Sequence, residues 1–449
     1  MLLEFKMKNF RSFYEETILS MLAAPRQRVH EDFLIKTDSY RILPTVVIYG
    51  PNASGKTSIV MALQFFKYII ESGNIRKQKD NLLSEMVEVF PFIHDYQRYS
   101  EPVEFEITFL LEEVEFVYCL AFKSRLDFDN NKSESNRLIV KEVLTIDQKE
   151  IFRRNDHQII LSKDKKALKY YPKKNTDRLL ETLENQINAN LEPTDLFLCG
   201  AFKSVINNEL ASKVIRWFNE KLITILSFDD SELNLKLPEQ FTNRKYIISN
   251  QVMQAMLRHA DFGPQDIRFV IDNEADSEQN TQLRSRYRIS GSPYGKGLDI
   301  DSEILESKGT IKMLEFSFPF VQALKYGRIL IVDELDASLH PDLVSAVVSI
   351  FNNPSINKKG AQLIFNTHNP IYLNKNIFRR DQILFVDKNR ETYESQLYSL
   401  ADFKTYGENA VRDDERFMKN YLAGKYGAIP FVDFEAAVYQ ALNEKDGEE

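Results

Sequence analysis

Apolar and polar positions change their period several times along the chain, and each change marks an element. At the front, Leu3, Phe5 and Met7 alternate with polar residues, Asn9-Phe10-Arg11-Ser12-Phe13 makes a polar corner, and Thr17-Ile18-Leu19 resumes the apolar pattern. Period two reads as strand, so this stretch predicts a hairpin. Residues 21–44 show no period. Thr45 to Tyr49 is β-branched or aromatic, as a buried strand requires. Ile59, Val60, Leu63, Phe66 and Ile70 then recur at helical spacing. Val103–Phe109 and Val114–Phe122 flank Glu112-Glu113 and predict a second hairpin. Strand character continues over 136–151 and 158–162, so residues 87–162 predict an antiparallel sheet.

From residue 174 the period lengthens. Leu179, Leu183, Ile187 and Leu191 recur every four residues, and Phe202, Ile206, Leu210, Val214, Trp217 and Phe218 extend the pattern towards Leu226. The stretch 174–262 therefore reads as a helical insertion, with no sustained heptads for coiled-coil arms. Strands return at Ile267–Asp272 and Leu283–Ser290, where Arg284, Arg286 and Arg288 share one face. That face is either exposed or a phosphate-binding stripe. Ile329–Val332 and Ala361–Thr367 are two further strands. The predicted fold class is α/β. Residues 1–173 form an N-terminal lobe with an antiparallel β-subdomain, 174–262 the helical insertion and 263–449 a C-terminal lobe.

The chemistry is concentrated at strand ends. Gly50-Pro51-Asn52-Ala53-Ser54-Gly55-Lys56-Thr57 matches G-x-x-x-x-G-K-[ST] between a strand and a helix. Four residues between the glycines let backbone N–H groups wrap a phosphate. Lys56 supplies a cation to the β- and γ-phosphates, and the Thr57 hydroxyl is a ligand for Mg²⁺. Ser58 follows in the first helical turn, whose positive end adds to the anion site. Arg11, with Ser12, stands 39 residues ahead of Gly50 and is a candidate nucleotide contact, although alone it reads as a solvated turn residue. Ile329–Val332 ends in Asp333-Glu334, which puts two carboxylates at the edge where α/β ligands sit. Asp333 is expected to hold Mg²⁺ through water, and Glu334 to orient or deprotonate the attacking water. His368 ends the neighbouring strand, 34 residues after Glu334, within reach of a γ-phosphate. No N-K-x-D string occurs, so the expected base is adenine and the expected ligands are ATP and Mg²⁺. No Cys/His cluster has zinc spacing.

Composition narrows the partners. The chain has 449 residues and a formal net charge of −8, which argues against a surface wholly wrapped in nucleic acid. A basic run from Lys163 to Arg178, with Tyr170 and Tyr171, is either a solvated loop or a local nucleic-acid contact. Two cysteines, Cys119 and Cys199, make no disulfide framework and suit a reducing cytosol. The charged start, Met1 to Lys6, lacks the apolar core of a signal peptide. With no run of about 18 apolar residues to span a membrane, the expected location is the cytoplasm.

The order of these strings carries a resemblance. Gly55-Lys56-Thr57, Glu306-Ser307-Lys308-Gly309-Thr310, Asp333-Glu334, Leu335-Asp336-Ala337-Ser338-Leu339-His340 and His368 resemble the ATP-binding-cassette ATPases of the RecF/SMC branch. With Asn9-Phe10-Arg11-Ser12 and Tyr421-Leu422-Ala423-Gly424-Lys425-Tyr426-Gly427-Ala428-Ile429-Pro430, the chain looks closest to the RloA-like ATPases encoded beside restriction and abortive-infection genes. The resemblance implies an ABC-type head. In it, Ser307, Gly309 and Thr310 form a signature loop that contacts ATP held by a second copy of the chain, with Asp336 and Ser338 at that interface. It implies a homodimer or higher homo-oligomer and a TOPRIM or RloB-type nuclease as effector, with nucleic acid or a phage protein as trigger, as in PARIS-like defence. Where a Q-loop glutamine is expected, the sequence reads Val89-Phe90-Pro91-Phe92-Ile93. Two functions stand side by side. One is a sensor and scaffold ATPase in anti-phage defence; the other is a RecF-like ATPase that binds DNA ends.

Overall fold

The computed structural model describes residues 1–25, 27–76, 91–95, 98, 100–125, 136–171, 177–226, 255, 266–271, 281–288, 297–301, 308–337, 339–403, 416–430 and 434–443. The N-terminal part runs β1 (Leu2–Lys8), β2 (Thr17–Ser20), β3 (Ile35–Lys36), β4 (Arg41–Ile42), β5 (Thr45–Tyr49) and α1 (Lys56–Ser72). It continues with β6 (Val103–Leu111), β7 (Val114–Arg125), β8 (Asn136–Ile146), β9 (Lys149–Asn155) and β10 (Gln158–Leu161). Then come α2 (Asp177–Ala189), a π-helix over Leu198–Ile206, α3 (Asn208–Lys221), β11 (Leu222–Ile225), β12 (Asp266–Ile271), β13 (Thr281–Arg288) and β14 (Gly297–Asp301). The last part holds α4 (Lys308–Tyr326), β15 (Ile329–Val332), α5 (Pro341–Asn352), β16 (Gln362–Thr367), β17 (Ile383–Lys388), β18 (Ser395–Ser399), α6 (Phe417–Leu422) and α7 (Phe434–Asn443).

Two large sheets result. One is antiparallel, in the order β10-β9-β8-β7-β6-β1-β2. It contains both predicted hairpins, with Met7 opposite Thr17 in the first and Leu111 opposite Val114 in the second. The sheet also takes in the N-terminal strand, because β1 pairs with β6, a long-range choice that local periodicity does not encode. The other sheet has the order β11-β15-β16-β5-β17-β18 and is parallel up to its antiparallel edge strand β18. The expected α/β class, a parallel sheet beside an antiparallel subdomain, is the fold observed.

The parallel sheet divides the interior. Val46, Ile48, Ile329, Ile331 and Ile364 face a core shared with α1 and the antiparallel sheet. Val47, Tyr49, Leu330, Val332, Leu363 and Phe365 face a second core covered by α4, α5 and α6. Burial on both faces is why these strands are continuously apolar instead of alternating. In the first core, aromatic rings join three elements. Phe109 of β6 stacks on Trp217 of α3 at 4.0 Å between centroids, and Phe66 of α1 meets Phe218 edge-on at 5.4 Å.

The helical pattern read from 196 towards 226 stops short of its predicted end. Leu222–Ile225 is strand, paired in parallel with β15 from Leu222 opposite Ile329 to Ile225 opposite Val332. Ile223, Thr224 and Ile225 are β-branched, and the open edge of the sheet decides in favour of strand. The π-helix is anchored by Glu142, which is fully buried on β8 and accepts the N–H of Phe197 and Leu198, each at 2.8 Å, and the Tyr118 hydroxyl at 2.9 Å. Burial raises the pKa of this carboxyl against those donors. In the basic run, Tyr171 is buried and Lys163 pairs with Glu181; residues 172–176 lie outside the described set. The side chains of Arg284, Arg286 and Arg288 also lie outside it, although their strand is the central one of β12-β13-β14. Among the described residues, no helix is long and apolar enough to cross a membrane.

One side chain ties the two large sheets together. Gln362, fully buried at the start of β16, accepts the Leu2 N–H at 2.7 Å and donates to the Leu2 carbonyl at 2.9 Å. A buried peptide group stripped of both partners costs about 1–3 kcal/mol per group. Gln362→Leu is therefore expected to lower stability by about 2–5 kcal/mol, read as a shift of the denaturant midpoint. An unchanged midpoint would show that β1 is held without it.

Candidate functional site

The phosphate loop is folded and internally braced. Gly50 ends β5 so close to β17 that a Cβ there would lie 2.4 Å from the Val386 carbonyl oxygen. Gly55 has φ +112 and precedes the first turn of α1, and a Cβ on it would lie 2.8 Å from the Ser12 hydroxyl. Ala53 also takes a left-handed φ, +60, which turns the loop. Lys56 is buried and donates from Nζ to the carbonyls of Gly50 at 2.7 Å and Pro51 at 2.8 Å. Burial lowers its pKa, while Glu334, Asp333 and Asp336 oppose that shift. The Ser54 hydroxyl is buried with no partner among the described residues. Asn52 is exposed, and Ser58 lies buried in the first turn of α1.

The two predicted acids come to this loop. Thr57 Oγ1 lies 3.1 Å from Asp333 Oδ1 and 3.3 Å from Oδ2, and donates to that carboxylate. Adjacent ligands of an octahedral Mg²⁺ at its usual bond length lie about 3 Å apart, so this pair of hard oxygens fits the ion. Glu334, Asp333 and Asp336 all act electrostatically on Lys56, and such a cluster of negative charge suits a divalent cation. Glu334 follows with φ +49. Its N–H is donated to Asn366 Oδ1 at 2.6 Å, and its carbonyl accepts Lys312 Nζ from α4 at 2.8 Å. The other end of the Asn366 amide donates to Asp333 Oδ1. Neither Asn366 nor Lys312 was singled out in the sequence. The available signal was Asn366 itself, a polar residue directly after the apolar run Leu363–Phe365, which must find a partner when buried.

The remaining candidates fall around this centre. Arg11, at φ +54, is half-buried and donates to the Met61 sulfur of α1 at 2.8 Å. Burial lowers its pKa. The Ser12 hydroxyl is buried without a partner among the described residues, against Gly55. Its carbonyl accepts the Ser395 N–H at 2.7 Å, while the Ser395 hydroxyl donates to the Ser54 carbonyl at 2.5 Å, so β18 braces both loops. Asp336 accepts the Thr367 hydroxyl at 2.8 Å through Oδ2, and its Oδ1 is buried without a partner among the described residues. His368 is exposed just past β16. Ser307 and Ser338 lie outside the described residues. Gly309 and Thr310, expected in a loop, sit in the first turn of α4, which begins at Lys308.

The string at 421–430 packs beside the loop. Tyr421 stacks on Phe385 at 5.7 Å and touches Tyr49 at 6.0 Å, and the Tyr398 hydroxyl donates to the Tyr426 carbonyl at 2.7 Å. Ile429 and Pro430 wall a cavity of about 410 Å³ whose other sides include Asn52, Ala53, Lys388 and Tyr393. It lies on the outer side of the loop tip, away from Thr57 and Asp333, neither of which lines it.

Three comparisons bear on this site. The family model described as "AAA domain, putative AbiEii toxin, Type IV TA system" matches residues 46–374, from the strand of the phosphate loop to just past His368. Among solved structures, the "SMC head domain from Thermotoga maritima" is similar over 89% of this chain and 98% of that one, at 12% identity and a TM-score of 0.38, a likeness too slight to carry an argument. No curated protein matches the chain.

Gly50 tests the geometry directly. Gly50→Ala would force the Val386 backbone aside. It is expected to cost about 2 kcal/mol of stability and, because the same strain distorts the phosphate loop, to weaken ATP binding at least about tenfold. Melting curves and titration with a fluorescent ATP analogue check it. Wild-type values for both would mean that the loop is not pinned against β17.

Proposed function

We propose that this chain, which belongs to the family described as "AAA domain, putative AbiEii toxin, Type IV TA system", is an ABC-type ATPase of the RecF/SMC branch, akin to RloA-like proteins. It binds and hydrolyses ATP, assembles through shared nucleotide sites and serves as sensor and scaffold for a nuclease effector in anti-phage defence. The observation that carries the catalytic part is the junction of Thr57, Asp333 and Glu334 beside Lys56. The abortive-infection setting of the family description supports the defence part.

In this reading Lys56 leaves the carbonyls of Gly50 and Pro51 and turns to the β- and γ-phosphates. The backbone N–H groups of Ala53 to Thr57 cradle the β-phosphate. Thr57 would hold Mg²⁺ directly and Asp333 through water, and the ion would neutralise charge on the transferring phosphoryl group. The Glu334 carboxylate takes the proton of the attacking water, and His368 contacts the γ-phosphate. Arg11 and Ser12 meet the nucleotide from the N-terminal corner. A second copy brings Ser307 and Gly309 to the γ-phosphate, and Asp336 faces that interface.

Two variants and one binding assay test this. Lys56→Ala is expected to weaken ATP binding about a hundredfold, since it removes a charge-assisted contact to the phosphates. Glu334→Gln is expected to keep ATP bound, lower turnover about a hundredfold or more and accumulate an ATP-held oligomer, seen by light scattering. Tight ATP binding by Lys56→Ala, or unchanged turnover by Glu334→Gln, would overturn the site. Tight duplex-DNA binding with a steep salt slope would replace the scaffold role by DNA-end binding.

A further inference from the structure

The two acids that close β15 are held by one side chain that the proposed chemistry does not use. Asn366 is fully buried in β16. Its neighbour Phe365 is in register with Val332 on one side and Val47 on the other, and Asn366 itself is opposite Ile48, so its backbone is fixed from both flanks. Its amide has two unlike ends, and both are engaged. Nδ2 donates to Asp333 Oδ1, and Oδ1 accepts the Glu334 N–H at 2.6 Å. The partners decide which end is which: a carboxylate only accepts, and a peptide N–H only donates.

That second bond acts on a strained backbone. Glu334 sits at φ +49, a conformation that costs a non-glycine residue about 1–3 kcal/mol and persists only where its surroundings impose it. Asn366 holds its N–H, and Lys312 holds its carbonyl from the opposite side. Released, the turn after Val332 would relax and swing the Glu334 carboxylate away from the line on which a water must be held. The first bond acts on Asp333. Thr57 and Asn366 both donate to that carboxylate. When a cation engages Thr57, the Asn366 amide remains to fix the carboxylate plane.

We propose that Asn366 is the positioning residue of this ATPase, setting Asp333 towards the metal and Glu334 towards the water through the two ends of one amide. The proposal rests on the ATPase reading above. It explains why the position needs an amide: an aspartate would lose the donor and set two carboxylates side by side, a serine would reach one partner only, and a leucine of the same shape would reach neither. Groups that orient a metal ligand typically account for about 10–100-fold in metal affinity or activity.

The test compares Asn366→Leu, which keeps the volume, with Asn366→Ala in the full chain. Four quantities are read: melting temperature, affinity for a fluorescent ATP analogue in EDTA, the Mg²⁺ concentration that half-tightens its binding, and the kcat and KM for ATP. Both variants are expected to keep metal-free nucleotide affinity within about threefold, to raise the Mg²⁺ midpoint about tenfold and to lower kcat about 10–100-fold with KM little changed. An Asn366→Leu protein that is folded, with wild-type Mg²⁺ midpoint and kcat, overturns the proposal. So does a loss of metal-free binding in proportion to lost melting temperature, which marks a merely structural residue. Failure of the ATPase reading shows separately, as wild-type binding and turnover no greater than those of Lys56→Ala.

Discussion

Thr57 and Asp333 are 276 residues apart in the chain and 3.1 Å apart in the fold, and that one contact constrains most of what lies between them. For a hydroxyl at the start of α1 to meet a carboxylate at the end of β15, β5 and β15 must run in the same direction and end at the same edge. They do so with β16 as the spacer between them, paired in parallel to both. A slip of one residue in either ladder would send the side chains to the other face of the sheet and carry Asp333 away. The long interval can be filled by an antiparallel sheet and a helical layer because loop closure grows only logarithmically with length, provided the chain comes back to the same sheet. β11 achieves the return: it leaves α3 and pairs with β15, and its Ile225 carbonyl accepts the Asp333 N–H at 2.9 Å.

That division also explains what could be read in the sequence. The phosphate loop, the strand before it and the Asp333-Glu334 end of β15 are local: their residues are neighbours in the chain, and the spacing is the chemistry. The α/β class followed from two apolar runs ending in polar residues. The features that escaped are all choices of distant partner. Periodicity places β1 as a strand but not as the mate of β6. Leu222–Ile225 carried on a helical run and became strand only because β15 offered an edge. Gln362 and Asn366 flank the apolar run Leu363–Phe365 of one strand, and each is explained by a backbone group from elsewhere, Leu2 in one case and Glu334 in the other. A buried amide beside an apolar run was a visible signal; the identity of its partner was not.

Charge is distributed unevenly about the loop. Lys56 donates to two carbonyls, and burial lowers its pKa against the opposing pull of Glu334, Asp333 and Asp336, while Arg11 donates to the Met61 sulfur and is lowered in pKa by burial. A triphosphate arriving here exchanges two neutral carbonyl acceptors of Lys56 for anionic phosphate oxygens, so that both partners of each hydrogen bond carry charge. The same ligand offers Arg11 an anion. Phosphate alone, however, would bring more negative charge towards Asp333, Glu334 and Asp336. Nucleotide and divalent cation must therefore arrive together for either to be held well, so a residue that orients the cation's ligand also governs how firmly the nucleotide stays.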